Sequence, residues 1–201
     1  MTKIAVVTGA AGGMGQAICR RMIEEGFSVI GLDMTWPDGT LFDTAVFRAV
    51  TGDLSDDRAV AEIFDGIATR EGHVDVLVNN AGTCFMSDFP EIPAEEFRRQ
   101  MAVNFDTCFH CCQAAIPLML GGEGVRKIIN ISSNGAYNFD VFDPPHYRAS
   151  KAAMDTLTKD LARRYATEKL AVNSIAPAMP QTPLFNALSE ETLATAVAAT
   201  P

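Results

Sequence analysis

The sequence predicts a doubly wound α/β fold, a parallel sheet with helices on both faces. Three observations carry it. Six short runs rich in Val and Ile fall at residues 3–8, 28–33, 45–51, 74–79, 127–132 and 170–175. Longer stretches with helical periodicity lie between them. A glycine-rich turn joins the first run to the first helical stretch. Short apolar runs suit strands buried on both faces of a parallel sheet, and right-handed crossovers between them would place helices on both sides.

Taken in order, the first helix is expected around Met14, Ala17, Ile18 and Met22, which share one apolar stripe. The second is expected over 55–70, opening with a capping Ser55 and an acidic first turn. A third covers 93–120, opening with Pro93 and two glutamates. A fourth covers 147–169, with Met154, Leu157, Leu161 and Tyr165 on one stripe. Loops fall at 35–39, 121–124 and 138–146. No linker, repeat or low-complexity block interrupts the pattern, so one domain over residues 1–201 is expected. Asp75 reads as a turn-stabilising residue.

Composition narrows the function. Hydrophobic residues are 48% and charged residues 20%, ordinary for a globular chain. Sixteen basic against 25 acidic residues give a net charge of −9. Such a chain gains nothing from a phosphate backbone or an anionic lipid surface, so neither nucleic acid nor a membrane is an expected partner. No apolar run approaches the roughly 20 residues that span a bilayer, and the N-terminus has no signal-peptide architecture. Five cysteines without framework spacing suggest a reduced, cytoplasmic protein.

The glycine turn reads Thr8-Gly9-Ala10-Ala11-Gly12-Gly13-Met14-Gly15. Between a strand and a helix, glycines let the backbone approach a pyrophosphate, and the helix N-terminus supplies N–H donors and positive potential. Gly9, Gly12, Gly13, Met14 and Gly15 are therefore candidate cofactor contacts. Asp33 ends the second run, 18 residues beyond Gly15. A carboxylate there can hydrogen-bond ribose hydroxyls and would repel a 2′-phosphate. With no Lys or Arg in the turn or between Asp33 and Arg48, NAD is favoured over NADP.

The catalytic signal is Tyr147-Arg148-Ala149-Ser150-Lys151, at i and i+4 on one helix face. A free Tyr titrates near ~10, and a neighbouring ammonium would lower that value. Tyr147 could then exchange a proton with an alcohol or ketone while hydride moves to or from a nicotinamide. With the glycine turn and Asn79-Asn80-Ala81-Gly82 after the fourth run, the chain resembles the short-chain dehydrogenase/reductase family over residues 3 to 185. The resemblance implies a Rossmann-type three-layer α/β/α fold with strand order 3-2-1-4-5-6. It implies that Lys151 also bonds the nicotinamide ribose, and that a serine orients the carbonyl. Ser133 is favoured for that place, with Ser132 the alternative. Asn104 matches the helix asparagine that holds a relay water. Asp53 and Leu54 match the adenine-binding position, and Asn80, Ala81 and Gly82 pass close to the cofactor. Pro177 and Thr182 match the loop after the sixth strand.

The chain departs from the family there. Ala178 stands where glycine is usual, and Pro180 offers no N–H at a place that holds the nicotinamide carboxamide. Beyond residues 184–199 no seventh strand is readable, which would leave the sixth strand as an edge. The family implies a homodimer or homotetramer built through helices 93–120 and 147–169.

Other motifs read as packing. Cys108, Cys111 and Cys112 share one helix face with no second ligand pair, so they are expected in the core and no metal site is expected. His146 is expected as a solvated loop residue or a pocket liner. Phe85, Met86, Phe139 and Phe142 are candidates for an apolar substrate wall. The resulting expectation is an NAD-dependent oxidoreductase of secondary alcohols and ketones. Two rivals are a 3-oxoacyl-thioester reductase, which would prefer NADPH, and a nucleotide-binding sensor or scaffold without turnover.

Overall fold

The computed structural model describes residues 2–37, 45–122, 124–138 and 143–178. Its strands are β1 Lys3–Thr8, β2 Phe27–Asp33, β3 Phe47–Thr51, β4 Val76–Asn79, β5 Arg126–Ile131 and β6 Leu170–Ile175. They form one parallel sheet in the order β3-β2-β1-β4-β5-β6. The helices are α1 Gly13–Glu24, α2 Asp57–Arg70, α3 Ala94–Met101, α4 Thr107–Met119 and α5 Pro145–Arg164. The expected Rossmann-type doubly wound architecture is the observed one.

Alternation along the strands divides the core in two. Ile4, Val6, Ile30, Leu32, Leu77 and Ile128 pack with α2, α4 and α5 on one side. Ala5, Val7, Val29, Val76 and Val78 pack on the other, where α1 supplies Cys19, Met14, Ile18 and Met22. This period-2 split is why the strands read as continuous apolar runs.

Several boundaries differ from expectation for identifiable reasons. Asp56, not Ser55, caps α2, its carboxylate accepting the Arg58 N–H at 2.9 Å; the Ser55 hydroxyl donates to Asp53 instead. β4 starts at Val76: the Val74 N–H leaves the sheet for the Leu118 carbonyl, while Asp75 still bonds both neighbouring strands, its N–H to the Ile4 carbonyl and its carbonyl to the Lys127 N–H. Asp75 is a hub. Its carboxylate accepts the Ile4 N–H at 2.7 Å and pairs with His73 and Arg126, fastening β1 to β5 at the floor of the sheet. The helix expected over 93–120 is broken by a π turn, Ala102–Asp106, between α3 and α4. α5 stops at Arg164, and Lys169, with φ of 55°, turns the chain into β6. Among the described residues, no helix is long and apolar enough to cross a membrane.

Candidate active site

The carboxyl ends of β1 to β4 open onto a cleft of about 510 Å³. Gly9, Gly12, Gly13, Met14, Gly15, Asp33, Asp53, Leu54, Asn80, Ala81 and Gly82 all line it. The turn that forms its floor needs its glycines. Gly9 has φ of +63°, and a Cβ there would lie 2.8 Å from Ala81 Cα. A Cβ on Gly15 would lie 2.0 Å from the Gly9 carbonyl oxygen, an impossible contact. No side chain caps α1, so the N–H groups of its first turn and its positive end are offered to the cleft.

Three polar side chains fix the turn. The Asp33 carboxylate accepts the Ala11 N–H at 2.9 Å and the Met34 N–H at 2.8 Å. The Thr8 hydroxyl accepts the N–H groups of Asn80 and Ala81, while the Asn80 amide donates to the carbonyls of Thr8 and Gly9. Thus residues 80–82 are strapped to the glycine turn. A backbone cradle that no side chain can enter, beside two acidic strand-end residues, fits a dinucleotide. Asp33 and Asp53 would take the adenosine end, the residues of the glycine turn the pyrophosphate, and Lys151 the nicotinamide ribose.

At the other end of the cleft stands the first turn of α5. Pro144 and Pro145 set its start. Tyr147 is half-buried and Lys151 fully buried. The Ser133 side chain lies near enough to the Tyr147 phenol to favour its ionised form. Lys151 Nζ donates to the Ile131 carbonyl at 2.8 Å and lies 5.9 Å from the Tyr147 ring centre. Gly82 joins this end to the cleft: a Cβ there would lie 3.3 Å from both Lys151 Nζ and Asn104 Oδ1.

The two serines separate cleanly. Ser132 points behind the strand, its hydroxyl donating to Asp155 at 2.8 Å. Ser133 accepts the Gly135 N–H at 3.1 Å and faces Tyr147. Only Ser133 stands with the phenol.

Burial decides the protonation of both α5 groups. It pushes the Tyr147 phenol up to about 12; the Ser133 side chain opposes this, and Asp143 and Cys84 add to it. It pulls the Lys151 ammonium down to about 8, against the nearby Cys108, Asp155 and Cys84. Desolvation disfavours the charged form of each. The expected lowering of the phenol by its lysine is therefore not what this geometry gives. The ammonium is spent on the Ile131 carbonyl, and the group that favours the phenolate is Ser133.

Asn104 lies in the π turn, fully buried. Its Oδ1 accepts the Thr83 N–H at 2.8 Å, and its Nδ2 donates to the Thr83 carbonyl and to the Ser150 hydroxyl, each at 3.0 Å. Ser150 in turn donates to the Tyr147 carbonyl at 2.6 Å. Asn104 thus ties residue 83 to the Tyr147 turn. Gln100, one turn earlier and fully buried, accepts the Phe85 N–H at 2.9 Å and donates to the Thr83 carbonyl at 2.7 Å. Glu96, earlier still, accepts the Ser87 hydroxyl at 2.8 Å and stands 3.2 Å from His146 Nε2. His146 is buried, not solvated.

Gln100 and Glu96 were not readable as site residues, because polar groups spaced by four on an amphipathic helix look like its wet face. Val103 and Thr107 also line the cleft; their place one turn apart beside Asn104 was the available signal. So do Ala11, Gly52, Met34, Thr35 and Pro37. Pro177 lies outside the cleft lining; its carbonyl accepts the Asn134 N–H at 2.9 Å, tying the end of β6 to the turn after Ser133. Phe139, Phe142, Pro180 and Thr182 lie outside the described residues. Cys108, Cys111 and Cys112 are buried in the core on α4.

Comparison with known proteins settles the family. The family described as short chain dehydrogenase matches residues 3–193. The chain belongs to that family. It is 34% identical over 200 residues to the acetoacetyl-CoA reductase of Acinetobacter sp. (strain RA3849), covering 95% of this chain and 79% of that one. It is 33% identical over 192 residues to the D-beta-hydroxybutyrate dehydrogenase of Rhizobium meliloti (strain 1021), covering 92% and 74%. Among solved structures, the Pseudomonas aeruginosa RhlG/NADP active-site complex superposes with a TM-score of 0.87 at 27% identity, covering 98% of this chain and 80% of that one. As a short-chain dehydrogenase the chain is an oxidoreductase of the class that binds a nicotinamide cofactor.

Proposed function

We propose that the chain interconverts a secondary alcohol and a ketone with NAD, Tyr147 acting as the acid/base. The observation that carries this reading is the Tyr147 phenol, on which Ser133 acts, together with Lys151 Nζ 3.3 Å from the Cβ position of Gly82, a residue that lines the glycine-turn cleft. A bound nicotinamide supplies the hydride acceptor or donor. Ser133 orients the substrate oxygen toward the Tyr147 hydroxyl. Tyr147 takes the alcohol proton in oxidation and returns it in reduction. Lys151 bonds the ribose, and Asn104 fixes the turn that carries Tyr147 and supports proton relay. Tyr147→Phe is expected to lower turnover by roughly 10²–10⁴-fold while cofactor binding, followed by NADH fluorescence, changes little. Unchanged turnover would remove Tyr147 from the mechanism.

Asp33 supports NAD, since a 2′-phosphate would meet a carboxylate already holding two backbone N–H groups. Parallel titrations with NADH and NADPH are expected to favour NADH by at least tenfold, about 1.4 kcal/mol. Preference for NADPH would overturn this and favour the thioester-reductase reading that the name of the Acinetobacter relative suggests. The assembly we propose is a homodimer or homotetramer through α4 and α5. Phe109, 41% exposed on α4, supports that surface; sedimentation velocity tests it.

A further inference from the structure

On the alcohol–ketone reading, the substrate end of the site lies between two segments, 83–97 after β4 and the stretch before Tyr147 of which 134–138 and 143–146 are described. Neither contains a lysine or arginine. The first contains Asp88, Glu91, Glu95 and Glu96; the second contains Asp143 among its described residues. Asp143 is the acid closest in function to the reacting groups. Its carboxylate rests on Gly135: a Cβ added there would lie 1.9 Å from Asp143 Oδ2. Gly135 is the residue whose N–H bonds the Ser133 hydroxyl at 3.1 Å. Asp143 therefore stands one residue's width from the hydroxyl that faces Tyr147, and its charge acts on both Tyr147 and Cys84.

The neighbouring cations are committed to other groups. Arg148 donates through Nε to the Asp143 carbonyl at 2.6 Å and through a guanidinium nitrogen to the Asn138 carbonyl at 2.7 Å. Lys151 donates to Ile131, Arg99 lies over the Phe85 ring at 5.2 Å, and His146 faces Glu96. Burial pushes the Asp143 carboxyl up, opposed by Arg148, the mark of an acid short of water. Such a group gains from a hydroxyl or ammonium that donates to it and loses against a second carboxylate.

We propose that Asp143 is a specificity-determining residue that selects alcohols or ketones bearing a neighbouring hydroxyl or ammonium group and rejects those bearing a carboxylate. This rests on the alcohol–ketone reading above. It also separates the chain from the Rhizobium relative, which is named for a hydroxy acid.

Three four-carbon alcohols with one skeleton test it: 4-amino-2-butanol, 1,3-butanediol and 3-hydroxybutanoate, ending in ammonium, hydroxyl and carboxylate near neutral pH. Two readouts are taken on the full chain. One is kcat/KM for oxidation with the preferred cofactor; the other is binding to the complex with the reduced cofactor, followed by its fluorescence, which needs no turnover. The ammonium and hydroxyl compounds are expected to exceed the carboxylate by roughly tenfold or more in both. Asp143→Asn is expected to shrink the ammonium-to-carboxylate ratio by a similar factor, and Asp143→Glu to keep most of it. Cofactor binding by each variant confirms that it has folded.

A carboxylate that equals or beats the hydroxyl compound in the wild-type chain would overturn the proposal. So would a ratio unmoved in Asp143→Asn, or no binding of any of the three. Binding in the expected order without turnover of any compound would instead sink the alcohol–ketone reading and leave the charge selection standing.

Discussion

Lys151 keeps an ammonium in a buried place, bonded to the Ile131 carbonyl and held near 8 against an ordinary value of 10.5. The folded chain thus releases this proton more readily than the unfolded chain does. The lysine's destabilising contribution is complete below pH about 8 and is relieved as pH rises from about 8 to 10.5, worth up to about 3 kcal/mol. Cys19 and Cys84, pushed up from 9.0 to about 12 by burial, work the opposite way above pH 9. The lysine is therefore read as a difference. Lys151→Met is expected to lower kcat/KM by about a hundredfold or more while unfolding no more easily than wild type near pH 7. Urea titrations at several pH values should show its advantage shrinking toward pH 10. A variant clearly less stable than wild type at neutral pH would mean that the ammonium is a structural prop. The pairing of Tyr147 with Lys151 was legible from their spacing. Which way the lysine points was not, because that depends on the strand-end carbonyl beneath it.

The helix pair α3–α4 shows what periodicity conceals. Pro93 and the two glutamates that follow predict one continuous helix over 93–120, and its outer boundaries are close to right. The π turn at Ala102–Asp106 is silent in sequence, because one extra residue in a turn leaves apolar and polar positions plausible on either side. Yet that turn lets Glu96, Gln100 and Asn104 form a row that holds residues 83–87. Gln100→Leu is expected to strand the Phe85 N–H, at about 1–3 kcal/mol, with a fall in Tm of several degrees. Because the held segment frames the substrate, KM should rise more than kcat falls; loss of cofactor binding instead would place the damage in the cleft. The glycine turn lies at the other extreme of legibility. Its demand for Gly9 and Gly15 is local geometry, and local geometry survives in sequence.

Across the molecule, the strand order followed from the family resemblance, and helices on both faces from the alternation of short apolar runs with helical stretches and from crossover handedness. What alternation could not supply is how parallel apolar strands stay in register, since Val and Ile pack nearly as well one step along. The structure answers with side chains. Asn79 and Asn130 are opposite each other on β4 and β5; the Asn79 side-chain amide donates to Asn130 Oδ1 at 2.8 Å, and the Asn130 side-chain amide donates to the Thr158 hydroxyl on α5. Asn79→Leu should therefore lower kcat by more than its loss of stability explains, with kcat measured well below the melting transition as the check; a loss of stability alone would deny the asparagines this role. Gly82 and Ser133 each follow their asparagine by three residues. The buried amides thus act as a gauge block. A slip of one place would carry Ser133 about 3.3 Å past the glycine that admits the lysine, so the tolerance of the chemistry is machined into the core, away from any substrate.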